Sequence, residues 1–322
     1  MQKIEFTIEK ELQHQGICDA SGAIALGDNH FIVANDESNL LRIYAADHSG
    51  SAIATVDIHS YFDNNPSAKE VDLEAAAQIG DMIYWITSHG RNKKGKFKPE
   101  RHQFFANKRQ SSESWQFEQI GRSYTQLVLG DMLNDSRLDR YRLKDAEQLP
   151  PKSVGGLNIE GLSVTPSGEL LIGFRSPIVE GKALLVPLNN PRELLEGAQA
   201  ILGNPIELDL GGLGIRSVEY WEAQKQYIIV AGAVDGGDRF ALYQWSGLDE
   251  LPQQIEGTRF PSDFRPEAVL FYPQRPNYFQ LLSDDGSLVR VDDLPCKDIE
   301  DEEHCQKFFR SLWARAHNVV QQ

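Results

Sequence analysis

The chain has 322 residues and a formal net charge of −15, with 32 Lys and Arg against 47 Asp and Glu. That balance argues against general binding to nucleic acid or an anionic membrane, which both call for basic surface. The length is enough to bury a large core, and no apolar run approaches the roughly 18 residues that span a bilayer.

Three cysteines, Cys18, Cys296 and Cys305, are an odd, low count with no paired spacing. They read as free thiols in a reducing compartment rather than as a disulfide framework. The first residues, MQKIEFTIEK, lack the charged-then-apolar layout of a secretion signal. The expectation is a cytoplasmic protein.

In chain order, residues 3–10 (KIEFTIEK) alternate apolar and polar, as a strand does. Four short runs follow: GAIAL, HFIVAN, LLRIYA and IATVDI. A second set reads AAAQI, MIYWIT, RHQFFA and WQFEQI. Residues 124–148 then look helical. A third set is GLSVT, ELLIGF, ALLVPL and PIELDL; a fourth is SVEYW, QYIIVAG, RFALYQW and PQQIEG. The fifth has AVLFY, YFQLLS and LVRV, one strand short. The runs are rich in β-branched and aromatic residues and are bounded by Gly, Pro, Asn and Asp. The N-terminal run is the natural donor of the missing strand, because closing the last sheet removes an exposed edge. Residues 298–320 carry acids first and bases last, which predicts a C-terminal helix. No low-complexity linker divides residues 1–322. The reading is one all-β domain, a β-propeller of five blades, with six as the alternative.

One motif precedes each set. It appears as DASG at 19–22, DLEA at 72–75, NIEG at 158–161, GIRS at 214–217 and RPEA at 265–268. Its third position holds Ser21, Glu74, Glu160, Arg216 and Glu267. A polar position repeated at the start of each innermost strand puts one side chain per blade on a common axis. Asp19 and Asp72, two residues earlier in their strands, share the same face. Asp19, Asp72, Glu74 and Glu160 are therefore candidate metal ligands. An all-oxygen set suits a hard divalent cation such as Ca2+. Two other readings stay open. The ring can be structural, each acid accepting hydrogen bonds that tie blades together, or it can hold a ligand without metal.

The second feature is residues 88–105, SHGRNKKGKFKPERHQFF, a basic stretch in an acidic chain. It joins the second and third strands of blade two, so it belongs on the rim where the ring residues emerge. Every second strand ends there in polar residues, including Asn35-Asp36-Glu37 and Ser283-Asp284-Asp285. Ser88, Arg91, Asn92, Arg101, Arg175, Arg216 and Arg239 are the candidates to hold an anion, since arginine grips phosphate or carboxylate bidentately. His89 and Glu267 are the candidate proton carriers. Other chemistries lack their signatures. No His/Cys cluster has zinc spacing. The glycines at 211–214 have no βαβ unit around them, and Ser21 lacks a nucleophile elbow.

DASGA, DLEAAA, SHGRNKKGKFKPER and NIEGLSVTPSG together resemble a bacterial family of unknown function, numbered 3616, over nearly the whole chain. The resemblance implies a propeller and assigns no reaction. The start of the strand at Glu160 is also loosely similar to phytase-like and esterase-type propellers. That likeness would rest on Glu74, Glu160 and Glu267; Ser21 and Arg216 depart from an all-acidic ring. The expected function is a metal-dependent hydrolase acting on an anionic ester, such as a phosphoester, in the central funnel. The alternative is a noncatalytic propeller that binds a protein or an anionic metabolite on the same face. Neither calls for nucleic acid or membrane.

Overall fold

A computed structural model describes residues 3–247, 250–257 and 260–319. Five four-stranded antiparallel sheets are arranged as blades around an axis. The innermost strands are Ala23–Leu26, Leu73–Ile79, Asn158–Val164, Gly214–Trp221 and Pro266–Phe271. Each lies against the next, and the last returns to the first, which closes the ring.

The core is not one mass but five apolar layers, one between each pair of adjacent blades. The second strand of blade two shows why. In Met82–Thr87 (MIYWIT), Ile83 and Trp85 face blade one, beside Ile32, Ile43 and Phe105. Tyr84 and Ile86 face blade three, beside Leu162, Ile172 and Val186. Side chains alternate along a strand, and both faces are covered here, so the run is apolar throughout. The remaining layers are built the same way, around Ile215 and Ile229, around Val230 and Leu281, and around Phe31 and Phe309.

The last blade departs from the sequence reading in two places. Its N-terminal strand, Lys3–Gln15, does close the sheet, but its partner is Phe308–Val319, in the segment read as a C-terminal helix. That segment is the third strand of the blade, paired on its other side with Tyr278–Ser283. Its odd positions, Phe309 and Trp313, enter one apolar layer, and its even positions, Leu312 and Ala314, enter the next. Only Cys296–Asp298 forms a short 3-10 turn; residue 320 lies outside the described residues. The LVRV run is not a blade strand. Val289–Val291 pairs with Leu294–Pro295 in a small separate hairpin.

Residues 124–148 are helical but broken, with a π turn at Leu127–Asp131, 3-10 turns at Met132–Asn134 and Ser136–Tyr141, and one α turn at Leu143–Ala146. Leu127, Leu138, Tyr141 and Leu143 are buried in the layer between blades two and three. No helix among the described residues is long and apolar enough to cross a membrane.

The cysteine reading is also corrected. Cys18 and Cys296 form a disulfide across 278 residues of sequence, while Cys305 is free and exposed. Ring closure brings the two together, because Cys18 precedes the first innermost strand and Cys296 follows the hairpin of the last blade. Disulfides persist mainly in oxidising compartments, so the cysteine count no longer argues for the cytoplasm.

Candidate active-site funnel

The ring motif has a backbone cause. In four blades the pairing between first and second strands is interrupted at the ring position. It passes over Glu74, Glu160, Arg216 and Glu267. A bulge of this kind takes one residue out of the ladder and re-aims its side chain. In blade one, Ser21 lies just ahead of the strand and its amide donates to the Ala34 carbonyl at 3.1 Å. All five ring side chains are buried and line one cavity of about 820 Å3. The small residue that follows has a reason too. A Cβ on Gly22 would sit 2.9 Å from the Ala75 backbone, and one on Gly161 would sit 2.9 Å from Ile215. The innermost strands approach too closely for anything larger.

At the floor, Glu160 is held by one oxygen. Its Oε1 accepts from Arg175 Nη1 at 2.8 Å and from Asn158 Nδ2 at 2.5 Å. Arg175 also donates to the Ala233 carbonyl at 3.0 and 3.2 Å, so its guanidinium is locked. Glu160 Oε2 is buried without a hydrogen bond; Arg216 Nε stands 3.8 Å away. Arg216 donates instead to Glu267 Oε2, through Nε at 2.5 Å and through Nη2. Asn158 Oδ1 is a second buried oxygen with no partner. Glu74 makes no hydrogen bond or ion pair among the described residues. One oxygen each from Glu74, Glu160 and Glu267 lies within 4.8 Å of the others, close enough to hold a metal ion. Asp19, Asp36 and Glu37 form a second such group nearer the mouth.

Glu74, Glu267, Asp19, Asp36 and Glu37 resist ionisation. Burial, then the neighbouring Glu160, pushes Glu74 well above the usual carboxylate range. Burial raises Glu267 to about 8, with Arg216 pulling the other way. Asp19 is raised well above its ordinary value by burial and by Asp36, Asp284 and Glu37. Asp36 and Glu37 line the cavity and are exposed to solvent. Both are raised, first by burial; the main neighbours are Asp284 for Asp36 and Asp36 for Glu37, which reaches about 7. With a value of about 8, Glu267 therefore holds a proton near neutral pH that a bound cation would displace.

Asp72 is spent differently. Its backbone is left-handed at φ 63°, a conformation uncommon outside glycine. Its carboxylate accepts from Ser88 Oγ and, at 2.8 Å, from Arg101 Nη1. Arg101 Nη2 reaches Glu70 at 2.5 Å. Asp72 and Arg101 thus pair on the cavity wall, with burial lifting the Asp72 carboxyl to about 7 against the pull of Arg101, and Ser88 anchors them from behind.

The expected site residues divide accordingly. Asp19, Asp72, Glu74, Asn92, Glu160, Arg101, Arg175, Arg216 and Glu267 all line the cavity. The four expected metal ligands do not make one cluster. Glu74 and Glu160 join Glu267, Asp19 joins Asp36 and Glu37, and Asp72 is paired with Arg101. Arg91 is not on the wall. Its guanidinium holds the helical insertion, donating to the Glu147 carbonyl at 2.6 Å and to Gln148 Oε1 at 2.8 Å. His89 is buried off the cavity, with Nδ1 donating to the Thr87 carbonyl at 2.9 Å. Burial lowers its pKa to about 4, so it is neutral and poorly placed to move a proton. Ser88 also lies behind the wall, and Arg239 is exposed away from it. Residues without an assigned role do line it, including Asp36, Glu37, Asp284, Lys93, Lys94, Lys152 and Lys297. The polar ends of the second strands pointed to the three acids; the lysines lie in loops whose convergence no local pattern reveals.

A comparison with curated proteins finds no match. Among solved structures, the glutaminyl cyclase of Myxococcus xanthus is similar at 11% identity over 99% of each chain, with a TM-score of 0.50. A GH43 β-1,3-galactosidase is similar at 7% identity over 92% of this chain and 56% of that one, with a TM-score of 0.50. At such identities the likeness carries the fold alone. The profile of the family described as "Protein of unknown function (DUF3616)" matches residues 19–114 and 102–265. With most of the ring motif inside those segments, the chain belongs to the DUF3616 family.

Proposed function

We propose that the funnel binds one divalent cation, with calcium the first choice, and uses it to hydrolyse a small anionic ester. One observation carries this reading. Glu160 Oε2 and Asn158 Oδ1 are buried with no hydrogen-bond partner, beside the unpaired Glu74 and the Glu267 carboxylate. Buried polar atoms are normally satisfied, and a hard cation would satisfy these at once. The donors are all oxygens, which favours Ca2+ or Mg2+ over zinc or copper. The ligand set is accordingly Glu74, Glu160 and Glu267 with Asn158.

A cation held there would polarise the ester and lower the pKa of a water. Arg175 fixes Glu160, and Arg216 fixes Glu267, so the ligands are held in place before anything binds. Hydrolysis of a phosphoester adds water across the P–O bond, releasing the alcohol and phosphate. The polar wall favours a small molecule over a protein surface, which would need an apolar, aromatic core.

Calorimetric titration of calcium into chelator-treated protein tests the reading. Near-stoichiometric binding is expected in the wild type. Glu160→Gln keeps the shape and removes the charge, and should weaken binding by at least about tenfold, or roughly 1.4 kcal/mol. Unchanged affinity in that variant would remove Glu160 from the ligand set. No binding in the wild type would leave a noncatalytic propeller that binds an anionic metabolite.

A further inference from the structure

The funnel has a second chemical zone, and it is basic. Lys93, Lys94, Lys152 and Lys297 all line the cavity toward its mouth, where they outnumber the exposed acids Asp36 and Glu37. They come from three separate parts of the chain: the loop between strands two and three of blade two, the segment after the helical insertion, and the segment after the small hairpin of blade five. All four are exposed, and among the described residues none of their ammonium groups has a carboxylate within ion-pair distance. Other lysines of this acidic chain are commonly paired: Lys98, also on the cavity wall, with Glu100, Lys182 with Glu207 and Lys225 with Glu222.

The arginines cannot supply the anion contacts. Arg101, Arg175 and Arg216 are each committed to a carboxylate. A ligand anion that displaced one of them would leave a buried carboxylate unpaired, which is costly. The lysines carry no such ion pair; Lys152 and Lys297 act on Asp36, and Lys297 on Glu37, only from beyond ion-pair distance. Their flexible stems and strongly hydrated ammonium groups suit a ligand of variable reach.

We infer that the four lysines form a collar that receives an anionic group, and that the ligand is a small molecule with at least two separated phosphate-like groups. One group lies at the carboxylate floor and another at the mouth. The floor assignment rests on the cation reading above, because bare carboxylates would repel a phosphate; the collar does not. A cavity of about 820 Å3 has room for a sugar bisphosphate.

The test uses two ligands that differ by one phosphate. Glucose 1,6-bisphosphate and glucose 6-phosphate are titrated calorimetrically into the full chain, with calcium and with chelator. The bisphosphate should bind at least about tenfold tighter in calcium. Lys152→Ala/Lys297→Ala should erase most of that margin and leave the monophosphate within about twofold. Lys96→Ala, on the same basic loop but off the cavity wall, should change neither. Thermal midpoints of all variants confirm folding. Equal affinity for the two sugars overturns the inference, as does no binding of either at millimolar concentration. So does a lysine double variant that weakens both alike or neither. If calcium itself fails to bind, the floor reading falls. A lysine-dependent preference for the bisphosphate in chelator would still uphold the collar.

Discussion

Raising the pH from 6 to 9 in the presence of chelator should weaken the fold. Burial lifts Glu267 from 4.5 to about 8 and Asp72 from 3.8 to about 7. Between its unfolded and folded pKa such a group binds more protons in the native state, so stability falls as pH rises. Each unit is worth about 1.4 kcal/mol. From pH 6 upward, Glu267 has about two units left to titrate, or about 3 kcal/mol, and Asp72 about one unit, or about 1 kcal/mol. The expected loss is on the order of 4 kcal/mol, and Glu74 and Asp19 act in the same direction. Buried histidines do the reverse. His14, His89 and His102 are lowered to about 3, 4 and 3 by burial, so their contribution grows from acid pH and is complete above about 6.5. Above about pH 6.5 no histidine gain offsets the acids, so stability in chelator should fall on the alkaline side. Urea denaturation at half-unit steps measures it. Millimolar calcium should flatten the alkaline limb, because ligation takes the place of protonation on the floor. A stability that is level or rising from pH 6 to 9 in chelator would refute the reasoning. It would mean that Glu267 and Asp72 are already ionised at pH 6 and are balanced by Arg216 and Arg101.

Two further perturbations probe how the funnel is held. Gly214→Ala would place a Cβ 1.9 Å from the Arg175 carbonyl oxygen, a backbone atom that cannot swing aside. It should cost about 2–3 kcal/mol in chemical denaturation and weaken calcium binding by moving the arginine that holds Glu160. An unfolding midpoint within error of the wild type would show that the strands have slack. Cys18→Ser should lower stability by about 3–5 kcal/mol under non-reducing conditions, and reductant should do the same to the wild type. Cys18 adjoins Asp19 and Cys296 adjoins Lys297, both on the cavity wall, so ligand affinity should fall as well. Equal stability of oxidised wild type and variant, measured by the same denaturation, would argue against the bridge.

Much of this architecture is legible locally. Strand runs of period two, turn residues between them and a polar position repeated before each set are near-neighbour patterns. They identify five blades, the closing N-terminal strand and the five ring residues. The bulges that aim those residues leave a trace as well, in the small residue after each one. The reading failed where a pattern was ambiguous or the partner was remote. Residues 308–316 send apolar side chains to both faces because both faces are covered, and flanking charges made the segment look like a helix. Arg91 looked like an anion clamp; its partner Glu147 stands 56 residues away. Cys18 and Cys296 share no local spacing at all.

The chain's own order of residues thus determined which side chains reach the axis, since alternation and bulges are properties of single strands. Which of them are free to act was decided only by tertiary packing. Packing pairs Asp72 with Arg101 inside blade two and Arg216 with Glu267 across blades four and five, leaves Glu160 Oε2 and Asn158 Oδ1 without hydrogen-bond partners, and gathers four lysines from distant loops. Ion pairs and convergence depend on distances through space, and a cyclic fold makes its nearest neighbours out of residues hundreds of positions apart.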